Sequence, residues 1–159
     1  MTKIKSFTAT PSFWLSYASF LMSTLQPPSP GRARALLQRA TQSVPTSEHR
    51  YLTAKFAALE FKSPNGDAER GRTIFEGLVS TWPKKGDIWD MYLSLEQAHG
   101  SEDNVRDLFE RMSKLSMKKK RAKTVFGKWR DWEESVGNSK GVSRVRALEE
   151  ANETKEEGL

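Results

Sequence analysis

The sequence predicts an all-α fold, a solenoid of about four helical hairpins stacked in line. Three observations carry this. An aromatic-led helix pattern recurs four times at nearly equal spacing. A second amphipathic helix follows each copy. Clusters of proline, glycine, serine and asparagine fall between the two. A period between 30 and 50 residues with two helices per unit is the signature of stacked helical repeats. No stretch shows the sustained alternation of a half-buried strand.

The first helices start at positions 14, 53, 89 and 126, which stand 39, 36 and 37 residues apart. Counting 0, +3, +6 and +7 from each start gives Trp14, Tyr17, Phe20 and Leu21, then Thr53, Phe56, Leu59 and Glu60. The third copy has Trp89, Tyr92, Leu95 and Glu96; the fourth has Phe126, Trp129, Trp132 and Glu133. The second helices carry an i, i+3, i+4, i+7 apolar face: Ala33, Leu36, Leu37 and Ala40; Gly71, Ile74, Phe75 and Leu78; Val105, Leu108, Phe109 and Met112. An arginine follows the first member each time, as Arg34, Arg72 and Arg106. The fourth copy keeps Val145, Arg146 and Leu148, then places Glu149 and Asn152 where the apolar pair should stand.

Pro27–Gly31, Ser63–Gly66, His99–Ser101 and Gly137–Ser139 separate the helices within each pair, and Pro45 and Pro83 close two of the second helices. The predicted repeats span about 13–45, 48–83, 87–116 and 121–151. A flexible lead, or the remnant of an earlier repeat, precedes them over 1–12, and an acidic disordered tail follows over 152–159. One hairpin cannot bury its apolar faces alone, so the tryptophans are assigned to packing between neighbours. A terminal repeat presents a polar outer face, as the fourth does through Glu149 and Asn152. The first does not: Phe13, Trp14, Tyr17, Phe20, Leu21 and Met22 make it the most apolar. Further repeats are therefore expected ahead of it, and an uncapped surface of this kind invites self-association.

The 159 residues suffice for one domain with a core, and five Trp and eight Phe argue against wholesale disorder. The absence of cysteine excludes disulfides and Cys-based zinc sites. Phe13–Met22 is half the length a membrane-spanning helix needs. Met1–Lys5 has no signal-peptide core, so the sequon Asn152-Glu153-Thr154 carries no weight. The net charge of +6 admits a polyanionic partner, either nucleic acid or an acidic protein face.

The third repeat, "DIWDMYLSLE" followed by "NVRDLFERM", resembles the HAT (half-a-TPR) repeat. That tetratricopeptide-like hairpin occurs mainly in RNA-processing proteins. The resemblance implies a right-handed α-solenoid. From about Ser12 to Ala151, loops included, the chain is similar to the C-terminal repeats of the ribosomal RNA processing protein five family, called programmed cell death protein eleven in animals. That family joins OB-fold RNA-binding domains to a C-terminal HAT array. The resemblance implies a nucleolar factor of pre-ribosomal RNA processing, with this part serving small-subunit rRNA maturation. Implied partners are pre-rRNA and other assembly factors of the pre-ribosomal particle. Departures are Leu21 where the repeat has Glu, Thr53 where it has an aromatic, and a proline-rich loop at Pro27–Gly31. The resemblance transfers no assigned functional residues.

The residues point to no active site, cofactor, membrane or small-molecule substrate. His49 and His99 have no partner at metal-ligand spacing. Gly127-Lys128 lacks the surroundings of a phosphate loop. Glu60, Glu96 and Glu133 recur at one repeat position, and Arg34, Arg72, Arg106 and Arg146 at another. The expected role is charge-assisted bonding that fixes the angle between helices. The informative surface is Arg111, Lys114, Lys118, Lys119, Lys120, Arg121, Lys123, Lys128 and Arg130, with no acid between the first and the last. Such a run is a solvated face, a phosphate-contacting surface or a site for an acidic protein. A weaker set is Arg32, Arg34, Arg39, Lys84 and Lys85. With the aromatics committed to packing, RNA contact would follow shape and charge rather than base identity. Three non-enzymatic functions compete: a pre-ribosome scaffold, a HAT module of splicing or mRNA 3′-end formation, and a dimerisation module.

Overall fold

The computed structural model describes residues 7–158. Among them the secondary structure is helical, with no strand. In chain order the helices are α1 (Pro11–Ser19), α2 (Pro30–Ser43), α3 (His49–Lys62), α4 (Ala68–Thr81), α5 (Gly86–His99), α6 (Glu102–Ser113), α7 (Lys119–Ser135) and α8 (Ser139–Glu157). A π-helical turn, Phe20–Thr24, extends α1, and a 3₁₀ turn, Thr46–Glu48, leads into α3. No helix among the described residues is long and apolar enough to cross a membrane.

The described residues divide into two compact units, one ending at Ser101 and the other beginning at Glu102. In the first, α1 pairs with α2 and α3 with α4. The first helices α1, α3 and α5 pack in succession, and each second helix also packs on the first helix that follows it. In the second unit α6 packs on α7, and α7 on α8. The boundary falls inside the third repeat, at its Gly100 break, rather than between repeats.

Local chemistry sets the helix ends. Pro30 starts α2, where its missing N–H costs nothing. Asp67 caps α4 by accepting from the N–H groups of Glu69 and Arg70. Gly137, at φ 74°, ends α7. Asn138 N–H then reaches Glu133 O and Gly137 N–H reaches Glu134 O, the paired bonds of a left-handed C-cap.

The core is built from the predicted stripes. Trp14, Leu21, Leu36, Leu52 and Phe56 belong to one buried cluster. Trp89 and Trp129 are buried as well. Several expectations need correction. Trp82 is 38% exposed, because it follows the last turn of α4 and lies against Arg50 instead of the core. By contrast, Phe13 and Phe20 are exposed, in keeping with the uncapped apolar surface expected of the first repeat. Residues 1–6 of the predicted lead lie outside the described residues. The remainder is not loose: Trp14 Nε1 donates to Thr8 O at 2.8 Å, and α1 already begins at Pro11. Residues 152–157, expected to be disordered, continue α8. Glutamate and lysine are good helix formers, and Lys155 in the last turn suits the helix dipole.

Candidate functional site and the clamps between repeats

The basic run lies on the second unit, from the end of α6 through the connecting segment and along α7. Lys114, Lys118, Lys119, Lys120, Lys123 and Lys128 are exposed, while Arg111, Arg121 and Arg130 are half-buried. Two of the arginines have acidic neighbours: Arg111 stands 3.6 Å from Asp107, and Arg130 stands 3.3 Å from Glu149. On α7, Val125, Phe126, Trp129 and Glu133 face inward. Helical spacing turns Lys120, Thr124 and Lys128 to the opposite side. Lys118 is the N-cap of α7 and provides no side-chain cap, and the first turn holds no acid. Cations at a helix N-terminus oppose the dipole. The unsatisfied N–H groups there and the lysines around them favour an anion in the same place.

The recurrent arginines and glutamates meet across repeats. Arg34 on α2 donates to Glu60 on α3 through Nε at 2.8 Å and Nη2 at 3.0 Å. Arg72 on α4 donates to Glu96 on α5 through Nε, and through Nη2 at 3.2 Å. Arg106 on α6 donates to Glu133 on α7 at 2.7 and 3.3 Å. Each bond is bidentate and joins a second helix to the first helix of the next repeat. The glutamates are only 3, 1 and 1% exposed. Arg146, on α8, is exposed.

Two of the glutamates also hold the break of their own repeat. Glu60 Oε2 accepts Asp67 N–H at 2.7 Å, and Glu133 Oε2 accepts Asn138 Nδ2 at 2.6 Å. The hydrogen bonds to Glu60, Glu96 and Glu133 raise Arg34, Arg72 and Arg106 further above their usual values, against the opposing effect of burial. Burial pushes the Glu133 carboxyl upward, but the bonds from Arg106 and Asn138 and the nearby positive charge outweigh it and hold it below the ordinary carboxylate range.

Stacked rings mark the same junctions. Phe75 lies on Tyr92 with centres 5.0 Å apart and planes 6° apart; Phe109 lies on Trp129 at 5.8 Å and 4°. Of the remaining signature residues, Tyr17 is half-buried beside Phe13, and Thr53 turns its hydroxyl back to His49 O at 2.7 Å. These ion pairs and rings are spent within the molecule. The exposed lysines of the second unit lie outside these clamps.

Residues 5–157 match the sequence profile of a family described as Suppressor of forked protein (Suf). The chain belongs to the Suppressor of forked protein family. Like other Suf chains it is a helical repeat protein. It is 42% identical over 156 residues to "rRNA biogenesis protein rrp5" of Schizosaccharomyces pombe, covering 97% of this chain and 9% of that protein. It is 41% identical over 144 residues to "Protein RRP5 homolog" of Homo sapiens, covering 91% of this chain and 7% of that protein. A shorter match, 30% identical over 79 residues, reaches "Pre-mRNA-splicing factor syf1 homolog" of Drosophila melanogaster and covers 48% of this chain. This Suf chain thus spans less than a tenth of the length of these relatives.

The sequence reading missed Arg144. It lies two positions before the recurrent arginine slot of the fourth repeat and forms an ion pair with Glu110. It missed Arg70 and Gln38 likewise. Lining up the first repeat with the third, and the second with the fourth, position by position would have shown all three.

Proposed function

We propose that this chain is a non-enzymatic scaffold module of ribosome biogenesis. It acts in small-subunit rRNA maturation in the nucleus and nucleolus, and holds assembly factors and pre-rRNA together within the pre-ribosomal particle. The observation that carries the reading is the 42% identity, spread over 97% of the chain, to a protein named for rRNA biogenesis. The arrangement of the molecule suits that role. The clamps use the buried charge for stiffness, and Lys114, Lys118, Lys119, Lys120 and Lys123 lie exposed where phosphate can reach them. A splicing module is the second reading; it has the syf1 match behind it, which covers half as much of the chain.

RNA binding across a salt series tests the proposal, with a structured pre-rRNA fragment and an unrelated RNA as ligands. Each cation that neutralises a phosphate releases counterions, so log K should fall linearly with log salt. Replacing Lys118, Lys119, Lys120 and Arg121 by Glu should reduce that slope by about three. The loss should be similar for both RNAs, because backbone contacts read no sequence. Wild-type protein that binds neither RNA at low salt would remove the RNA half of the proposal.

A further inference from the structure

Two grooves occupy the same place in the repeat and are finished differently. Each runs between consecutive second helices over a first helix: α2 and α4 over α3 in the first unit, α6 and α8 over α7 in the second. By repeat position, Leu37, Leu59 and Phe56 of the first groove correspond to Phe109, Trp132 and Trp129 of the second. Gln38 corresponds to Glu110, and Arg70 to Arg144.

The second groove is filled and closed by its own side chains. Phe109 stacks on Trp129 and lies 5.9 Å from Trp132. Arg144 spans the groove to pair with Glu110, its guanidinium 5.8 Å from the centre of the Trp129 ring. The first groove has leucine at two of the three aromatic positions and an amide in place of the carboxylate. A cleft of about 490 Å³ remains, with Met22, Leu37, Leu59 and Ile74 in its lining. Arg70 stands on its rim, exposed, with no carboxylate in ion-pair range of its guanidinium among the described residues. The other rim charges are committed: Arg34 to Glu60, Glu69 to Arg72, and Asp67 to the start of α4.

We propose that this cleft docks an acidic peptide that presents an aromatic side chain next to a carboxylate. The ring enters between Leu37 and Leu59, and the carboxylate reaches Arg70. The argument is complementarity, read from the molecule's own closed copy of the site. The first groove lacks the two rings and the acid of the second, and one of those rings and the acid come there from the consecutive residues Phe109 and Glu110. A buried ring contributes apolar contact, and a charge pair on the rim fixes orientation. The proposal gives the protein-binding half of the scaffold reading a partner chemistry, and rests on that reading only for its setting.

The test is an amide NMR titration of the full chain with the blocked peptide Gly-Ser-Trp-Glu-Ser-Gly. Shifts should gather on α2, α3 and α4 around the cleft and be absent from α7. Peptides with Trp→Ala or Glu→Gln should bind at least tenfold more weakly, and Arg70→Glu should abolish binding. The triple change Leu37→Phe, Gln38→Glu and Leu59→Trp rebuilds the closed groove; it should raise Tm and lose the peptide. Four outcomes would overturn the proposal: equal binding of a Trp-Lys peptide, undiminished binding by the closed-groove variant, shifts at the cleft on raising protein concentration alone, or displacement of the peptide by single-stranded RNA. Arg70→Glu leaves the basic surface of the other unit untouched, so failure of the groove and failure of the RNA contact are read separately.

Discussion

At Glu133 a carboxylate with 1% of its side chain exposed is held by a guanidinium that is 29% exposed. Taking that charge out of water is costly, and two bonds from Arg106 with one from Asn138 offset the cost. The two partners are therefore unequal under mutation. Arg106→Ala strands a buried charge and should destabilise the second unit by about 3 kcal/mol. Glu133→Gln leaves a neutral amide of the same size facing a cation that reaches solvent, and should cost less. The pH dependence has a definite sign. Because the folded Glu133 carboxyl lies below its ordinary value, its contribution is complete above the unfolded value and is lost as pH falls through the folded one. Urea unfolding at a series of pH values should show the gap between wild type and Glu133→Gln closing in acid; a gap independent of pH would mean the pair gives no net stabilisation.

At the scale of the element, the breaks between helices are built around the glutamates. A methyl group added at Gly141 would overlap Glu133 Oε2 and Asn138 Nδ2, so the carboxylate and the cap of α8 occupy the space glycine leaves. Gly141→Ala should cost about 1–3 kcal/mol by overpacking. Thermal unfolding should show it as a drop of several degrees, and an unchanged Tm would mean the break shifts freely. The hairpins themselves were legible in the sequence, because the 3.6-residue apolar stripe and the proline and glycine breaks act locally. The pairing of Arg34 with Glu60 was not. Spacing alone allows Glu60 to meet Arg72 of its own repeat as readily as Arg34 of the one before, and only packing decides. Trp82 was misplaced for a related reason: an aromatic side chain is core only if its helix turn faces a neighbour, and Trp82 stands just past the end of α4. The open groove was hidden because it is defined by smaller residues at positions where the other copy has rings.

Over the whole molecule, the clamps decide how far one repeat's stability depends on the next. Stacked repeats behave as a near one-dimensional array, in which interface terms couple units of modest intrinsic stability. Arg34–Glu60 is the clamp between the first repeat and the second. At that junction Leu37 stands where the later ones have stacked rings, so the ion pair carries a larger share of the coupling than Arg72–Glu96 or Arg106–Glu133. Arg34→Ala should therefore loosen α1 and α2 while α6 to α8 keep their protection. Native-state hydrogen exchange reads this directly: amides of α1 and α2 should exchange at least tenfold faster in the variant, with α7 unchanged. Uniform acceleration along the chain would instead show that the clamp supports one global unfolding unit. Exchange that is unchanged in α1 and α2 would show that the buried cluster of Trp14, Leu36 and Phe56 holds the first repeat without it. The proposed peptide groove needs the first outcome, because only coupling at this junction keeps the groove between α2 and α4 in one shape while a partner binds.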